Sequence, residues 1–413
     1  MKKRTWAGAL VVTLAVAVTA TTWAVSAQRP ITLAAPRGSL GPAATAVPSP
    51  GRPAGAAPGE LPHPGSPVAS TSPSSQPNQP VLPDLVPGQA PPQFVVFSWD
   101  GAAEDSNKLF SRFRAVAQAN DASMTFFLSG IYTLPASRRM LYQPPRHARG
   151  ASDIPLLKNA QIAVTMQEVR QAWLEGSEIG THFNGHFCGP SGGSSFSVQD
   201  WASELGQAKG FITNWRTNNG LLSTPPLPFN VSKEIVGGRA PCLEGQKNLI
   251  PAEKAAGFRY DASSPGGLQV WPAKMGGLWS YPLQSLQVPG FRYEVLSMDY
   301  NFMFNQSRVT QGDQARFPFW QKQTRDALIG GFNRAYTTNR APMFIGNHFE
   351  QWNGGIYMNA VEDTVKTVCG KPDVHCVSFR QLTDWMDRQV PARLAALRTL
   401  QVGQHGNWPK LLK

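Results

Sequence analysis

The sequence predicts an α/β fold, a distorted (β/α) barrel, on three observations. Short apolar runs alternate with helical segments from residue 93 to about residue 390. Polar and ionisable residues collect just after the apolar runs, where a parallel barrel keeps its reactive groups, at the C-terminal ends of its strands. Hydrophobic residues make up 41% of a 413-residue chain, enough for one large core plus appendages.

The elements follow in order. Met1-Lys2-Lys3-Arg4 is a basic start, an apolar run extends from Trp6 to about Val25, and Val25-Ser26-Ala27 offers small residues for cleavage. Residues 1–27 therefore read as an export signal, with an uncleaved membrane anchor as the alternative. Residues 28–92 hold nearly half of the 36 prolines, mixed with Ala, Gly and Ser. Such a stretch is expected to stay a disordered linker, because it has too little apolar surface to offset its ordering entropy. At Gln93 the character changes. Phe94-Val95-Val96-Phe97 reads as a buried strand ending at Trp99-Asp100-Gly101, followed by a helix over 106–118 and a strand over 123–128. Residues 133–163, with Arg138, Arg139, Arg146 and Arg149, read as an irregular insertion, a functional or capping loop and not a simple connection. Thr165 and Glu168 suggest a capping box for a helix reaching Glu175.

A strand is expected before His182, a helix from Ser197 to Trp215, a strand over 234–236, a helix over 248–256 and a strand over 258–261. Residues 265–319 show no clear period. A helix over 320–337, a strand over 343–347 and helices over 359–368 and 379–388 complete the domain, 93–390, and 391–413 reads as a basic tail. Four cysteines in an exported chain suggest two disulfides: Cys369 with Cys376 across a short loop, which leaves Cys188 with Cys242. Lys+Arg 38 against Asp+Glu 26 gives a net charge of +12, which favours anionic surroundings; no basic block is dense enough to single out nucleic acid.

The chemistry centres on residues 178–187, EIGTHFNGHF, where His182 and His186 stand four apart. Gly180 and Gly185 argue against a helix there, so a strand ending near Thr181 and a loop folding back would let both imidazoles meet one ion. A divalent ion needs a third protein ligand and an open position for water. Asp100, Arg239, Asp261 and His348 end other predicted strands, and barrel geometry would bring them to the same rim.

This constellation resembles the NodB-type polysaccharide deacetylases, carbohydrate esterase family four, and in wording its chitin-deacetylase-like branch. Phe97-Ser98-Trp99-Asp100-Gly101 is similar to the family's T-F-D-D-G, and His182-Phe183-Asn184-Gly185-His186 to its H-S-x-x-H. Arg239-Ala240-Pro241 repeats its R-A-P. Tyr260-Asp261-Ala262-Ser263, with Trp279-Ser280-Tyr281 downstream, resembles the fourth motif. Arg340-Ala341-Pro342 through His348 resembles the fifth, with Trp352 one residue late.

The resemblance implies a metal-dependent hydrolase that removes acetyl groups from an amino-sugar polymer, chitin-like or peptidoglycan. It implies a divalent metal, usually zinc, on Asp100, His182 and His186. His348 is the implied general acid, Asp261 the carboxylate that orients it, and Arg239 the group that fixes the base; Trp99, Trp279 and Trp352 are candidate sugar-stacking aromatics. The chain departs from the pattern where the family carries its base, the first Asp of the D-D pair, because it has Trp99 there. Three readings follow: the metal and His348 suffice, Glu104 or Asp105 substitutes as base, or the chain binds glycan without turnover. A secreted or wall-associated monomer is expected, with a membrane link only through the N-terminal segment.

Overall fold

The computed structural model describes residues 76–413; the expected export signal and the part of the expected linker up to residue 75 lie outside the described residues. The core is a curled, mostly parallel sheet that forms an open half-barrel. In chain order the elements are β1 Gln93–Asp100, α1 Leu109–Gln118, β2 Thr125–Leu128, α2 Asn159–Leu174, β3 Glu178–Thr181, α3 Val198–Thr213, α4 Trp215–Asn219, α5 Val231–Glu234 and β4 Gly237–Gly238. They continue with α6 Gln246–Ala255, β5 Tyr260–Asp261, β6 Lys274–Met275, β7 Leu278–Ser280, β8 Ser285–Gln287, β9 Glu294–Leu296 and α7 Asp299–Gln306. The last are α8 Phe317–Thr337, β10 Met343–His348, α9 Trp352–Val368, β11 Val374–Cys376, α10 Phe379–Arg388, α11 Pro391–Leu397 and α12 Trp408–Leu411.

The strand order is β10-β1-β2-β3-β4-β5-β7-β6, parallel except for the β6–β7 edge, and β11 pairs with the first residues of β1. β8 and β9 form a separate hairpin.

Strand alternation divides the core in two. Phe94 and Val96 of β1 point into the half-barrel, where Phe127, Tyr260, Tyr281, Phe344 and Phe379 meet them. Val95, Phe97 and Trp99 point outward and pack with Phe113 of α1, Phe126 and Ile345. The fit inside is tight. At Gly237 a Cβ would come within 2.1 Å of the Tyr260 ring, so only glycine lets β4 lie beside β5.

Register then levels the strand ends. Asp100 pairs with His348 across β1–β10, Leu128 with Thr181 across β2–β3, and Thr181 with Gly238 across β3–β4. The residues that follow Thr181 and Gly238, His182 and Arg239, emerge on the same rim as Asp100.

The structure differs from expectation in four places. Residues 76–92 are packed and not free linker: Gln76 donates to the Trp173 and Ser177 carbonyls, Trp385 Nε1 donates to the Pro83 carbonyl, and Leu85 is buried in the inner core. Residues 391–413 are no loose tail either, since Leu394, Leu397, Leu400 and Leu412 are buried. In both segments a few leucines supply the anchoring area that average composition hides. α2 begins at Asn159, so Thr165 is a buried mid-helix residue whose hydroxyl accepts from the Glu104 backbone N–H. The strand expected over 234–236 lies further on, as the two-residue β4 at Gly237–Gly238, after a short helix, α5, that ends at Glu234. Both disulfides, Cys188–Cys242 and Cys369–Cys376, are formed. Among the described residues no helix is long and apolar enough to cross a membrane.

Candidate active site

A pocket of about 290 Å³ opens at the C-terminal rim of the sheet. Its wall includes Asp100, Gly101, Tyr132, His182, His186 and His348, with Glu350 at its mouth. The insertion expected to cap the fold does so: Ile154, Pro155 and Leu157 line one side, and the Asp153 N–H donates to the Gly185 carbonyl.

Asp100 ends β1 on the inner face, together with Ser98. Arg239, fully buried, donates through Nη1 to Asp100 Oδ1 at 2.8 Å and to Ser98 Oγ at 2.9 Å. Its Nε donates to the Ala262 carbonyl at 3.0 Å, and its guanidinium lies 5.0 Å from the Phe127 ring centroid. Burial pushes the Asp100 carboxyl up, but Arg239, His182 and His348 outweigh it and hold it below its ordinary value.

His182 follows β3 and is buried. Its Nδ1 lies 2.8 Å from the Arg239 carbonyl, an acceptor, so Nδ1 carries the proton and Nε2 presents a lone pair. Burial lowers its pKa to about 3 and also lowers that of His186, so both rings are neutral at pH 7. The ring centroids stand 5.2 Å apart. The fold-back between them uses the left-handed region at Phe183, φ 55°, and His186, φ 59°. The disulfide Cys188–Cys242 ties this turn to the loop after Arg239.

His348 ends β10. Asp299, the first residue of α7, accepts from its backbone N–H through Oδ2 and meets its Nδ1 through Oδ1, each at 2.8 Å. Burial alone would lower the His348 pKa, but Asp299 overrides it and raises it to about 9. The approach of Asp299 has a structural cause. The free edge of β10 is covered by residues 284–298: Gln284 bonds Phe344 N–H and the Pro342 carbonyl, Ser297 bonds the Phe344 carbonyl and Gly346 N–H, and Met298 bridges to Gly346. Asp299 comes next.

Several sequence-based assignments are corrected by this geometry. Asp261 does not orient His348. β5 has two residues, and Tyr260 takes the interior. Asp261 Oδ1 accepts from Ser263 N–H, and burial raises its pKa to about 6 against the lowering by Ser263 and Arg239. Asp299 holds the role instead. It lies in the stretch without clear period, and its only signal is a lone Asp after the short β9. Trp99 is no cleft residue: it points outward, fully buried, 4.6 Å from the Phe113 ring and stacked 5.7 Å from Phe349.

Trp279 lies away from the pocket. Its Nε1 donates to Asp387, and it lines a separate hollow of about 480 Å³ with Lys274, Met386 and Arg398. Trp352 does stand near the site, half-buried, 5.5 Å from the His348 ring. Glu104 and Asp105 line the pocket, but their carboxylates bond local groups at the start of α1: Glu104 accepts from the N–H groups of Ser111 and Asp105, and Asp105 from Asn107. Neither is a free base. The Leu243 N–H, in the loop after Arg239, donates to the Ala240 carbonyl.

Among the described residues, the trio of candidate donors mutually within 4.8 Å is His186, Cys188 and Cys242, and its two cysteines are bonded to each other. Asp100, His182 and His186 do not meet that spacing, and Asp100 is ion-paired to Arg239. The imidazole pair suits a cation; the three residues together do not form a ready three-donor site.

No family model matches the sequence, and no curated protein matches it. Solved structures do. The chain is similar to a putative polysaccharide deacetylase from Mycobacterium smegmatis, at 14% identity, over 78% of this chain and 99% of that one, with a TM-score of 0.44. It is similar to a probable polysaccharide deacetylase from Pseudomonas aeruginosa PAO1, at 13% identity, over 72% and 92%, with a TM-score of 0.42. It is also similar to a Streptococcus mutans CE4 esterase, at 12% identity, over 70% and 86%, with a TM-score of 0.39.

Proposed function

We propose that the chain is an extracytoplasmic hydrolase that removes acetyl groups from an amino-sugar polymer, chitin-like or peptidoglycan. The observation that carries this reading is one pocket holding a carboxylate fixed by a buried arginine and an imidazole fixed by a buried carboxylate. Their surroundings push the two proton affinities in opposite directions, Asp100 down and His348 up to about 9, the signature of a base and an acid working as a pair.

In this mechanism the Asp100 carboxylate takes a proton from water as its oxygen attacks the acetyl carbon. The lone pair on His182 Nε2 orients that water by accepting its second hydrogen. The His348 imidazolium then protonates the leaving nitrogen, the carbon–nitrogen bond breaks, and acetate and a free amine result. Asp299 holds the imidazolium and Arg239 holds the carboxylate. Trp352 offers a half-buried face for a sugar ring beside His348. The net charge of +12 suits an anionic wall, and the apolar N-terminal run suits export.

Purified protein should release acetate from N-acetylglucosamine oligomers or peptidoglycan, and His348→Ala should lower the rate by roughly 10²–10⁴-fold, the usual share of a general acid. A second reading, glycan binding without turnover, is favoured by one observation, the incomplete donor set. Tight binding of the same oligomers with no acetate from any N- or O-acetylated glycan would select it.

A further inference from the structure

We infer that the pocket is a two-histidine cation site whose third protein ligand is missing, and that the gap lies at Gly101. The inference rests on donor geometry and stands whether or not the pocket turns over substrate.

Three observations carry it. First, strand alternation puts Ser98 and Asp100 on the inner face of β1 and Trp99 on the outer, and both inner side chains are bonded to the Arg239 Nη1. Asp100 is therefore the carboxylate that the arginine holds, and the residue after it is glycine. Second, His182 is prepared as a ligand. Its Nδ1–H is anchored on a backbone carbonyl, which fixes the tautomer and frees Nε2, the outer-shell arrangement common to metal-bound histidines. Third, Gly101 lines the same pocket as His182 and His186, and there is room beside it. A Cβ at Gly101 would meet Tyr132 at 3.5 Å and 3.6 Å and Ser129 Oγ at 3.9 Å, all ordinary contacts. Its φ of 63° is in the left-handed region, which Asp and Asn tolerate better than other side chains.

The rival donors are engaged elsewhere. Glu104 accepts from the Ser111 N–H in the first turn of α1, Asp105 accepts from Asn107, Cys188 and Cys242 are bonded to each other, Asp100 faces the guanidinium, and Glu350, at the pocket's mouth, does not come within 4.8 Å donor spacing of the two imidazoles. A carboxylate at position 101 would complete two imidazoles and one carboxylate with an open position, the composition of a catalytic divalent site.

The test is calorimetric titration of the metal-free full chain with Zn²⁺. Wild-type protein should bind weakly and lose the ion on dialysis, and His182→Ala should remove that binding. Gly101→Asp should bind at least about tenfold more tightly, because a direct ligand is worth no less than the roughly 10–100-fold of an outer-shell partner. Gly101→Asn carries the same backbone strain without the charge and should stay near wild type; it also reports whether the site tolerates the substitution. Two results would overturn the inference: wild-type protein that retains one Zn²⁺ through dialysis, or Gly101→Asp binding no more tightly than Gly101→Asn. Neither readout depends on acetate release, so the deacetylase reading can fail separately.

Discussion

Asp100 and His348 are neighbours across the β1–β10 ladder, and each owes its charge state to a residue that follows another strand. For His348 the sign is set by Asp299. A folded-state pKa of about 9, above the ordinary 6.5, keeps the imidazolium intact at neutral pH and loses it as pH rises through 9. The rate of acetyl hydrolysis should therefore fall on the alkaline side near pH 9. In Asp299→Asn that limb should move down by two units or more, since burial alone lowers the ring's pKa; a pH–rate profile of the two proteins checks this. Asp100→Asn removes the charge paired with a fully buried guanidinium and should cost about 3–5 kcal/mol of stability, read by denaturant titration.

At this scale the sequence was partly legible. The run FVVFSWD contains the alternation that separates Asp100 from Trp99, yet matching it letter by letter to a family motif hid that alternation and put the tryptophan in the site. Asp299 was out of reach, because its proximity to His348 depends on the long edge covering of β10 and not on spacing.

Among the elements, α3 couples packing to proton binding. Glu204, buried on its inner side, accepts from the Tyr142 hydroxyl, and Asn184 of the histidine turn donates to its carbonyl. Burial raises the Glu204 pKa from 4.5 to about 7. A raised acid pKa means the folded state prefers the proton: the stabilisation is complete below pH 4.5 and is lost as pH rises through 7. Stability should decline by on the order of 3 kcal/mol across that window from this group. Glu204→Gln should remove that part of the slope in pH-dependent melting.

The packed strap, residues 76–92, belongs to the same scale. Truncation through residue 92 loses the buried Leu85 and the bonds of Gln76 and Pro83, and should lower the melting temperature relative to truncation through residue 75. β1, α8, β10 and α10 were readable because they are long and strongly apolar on at least one face. β4 and β5, two residues each, carry too little pattern to be seen without their neighbours.

Across the molecule, one curled parallel sheet levels the ends of strands far apart in sequence, so that residues from 100 to 348 share one rim. The barrel class was visible in the alternation of strands and helices. The open edge at β10 was not, because it depends on which segment covers it.

Asp100, the proposed base, and Trp99, a core residue, should respond oppositely to substitution. The most direct test is kcat/KM for acetate release from an N-acetylated glycan in wild-type, Asp100→Asn and Trp99→Phe proteins. A loss of roughly 10²-fold or more is expected for Asp100→Asn, with Trp99→Phe close to wild type. Full activity in Asp100→Asn, or loss in Trp99→Phe with its fold intact, would contradict it.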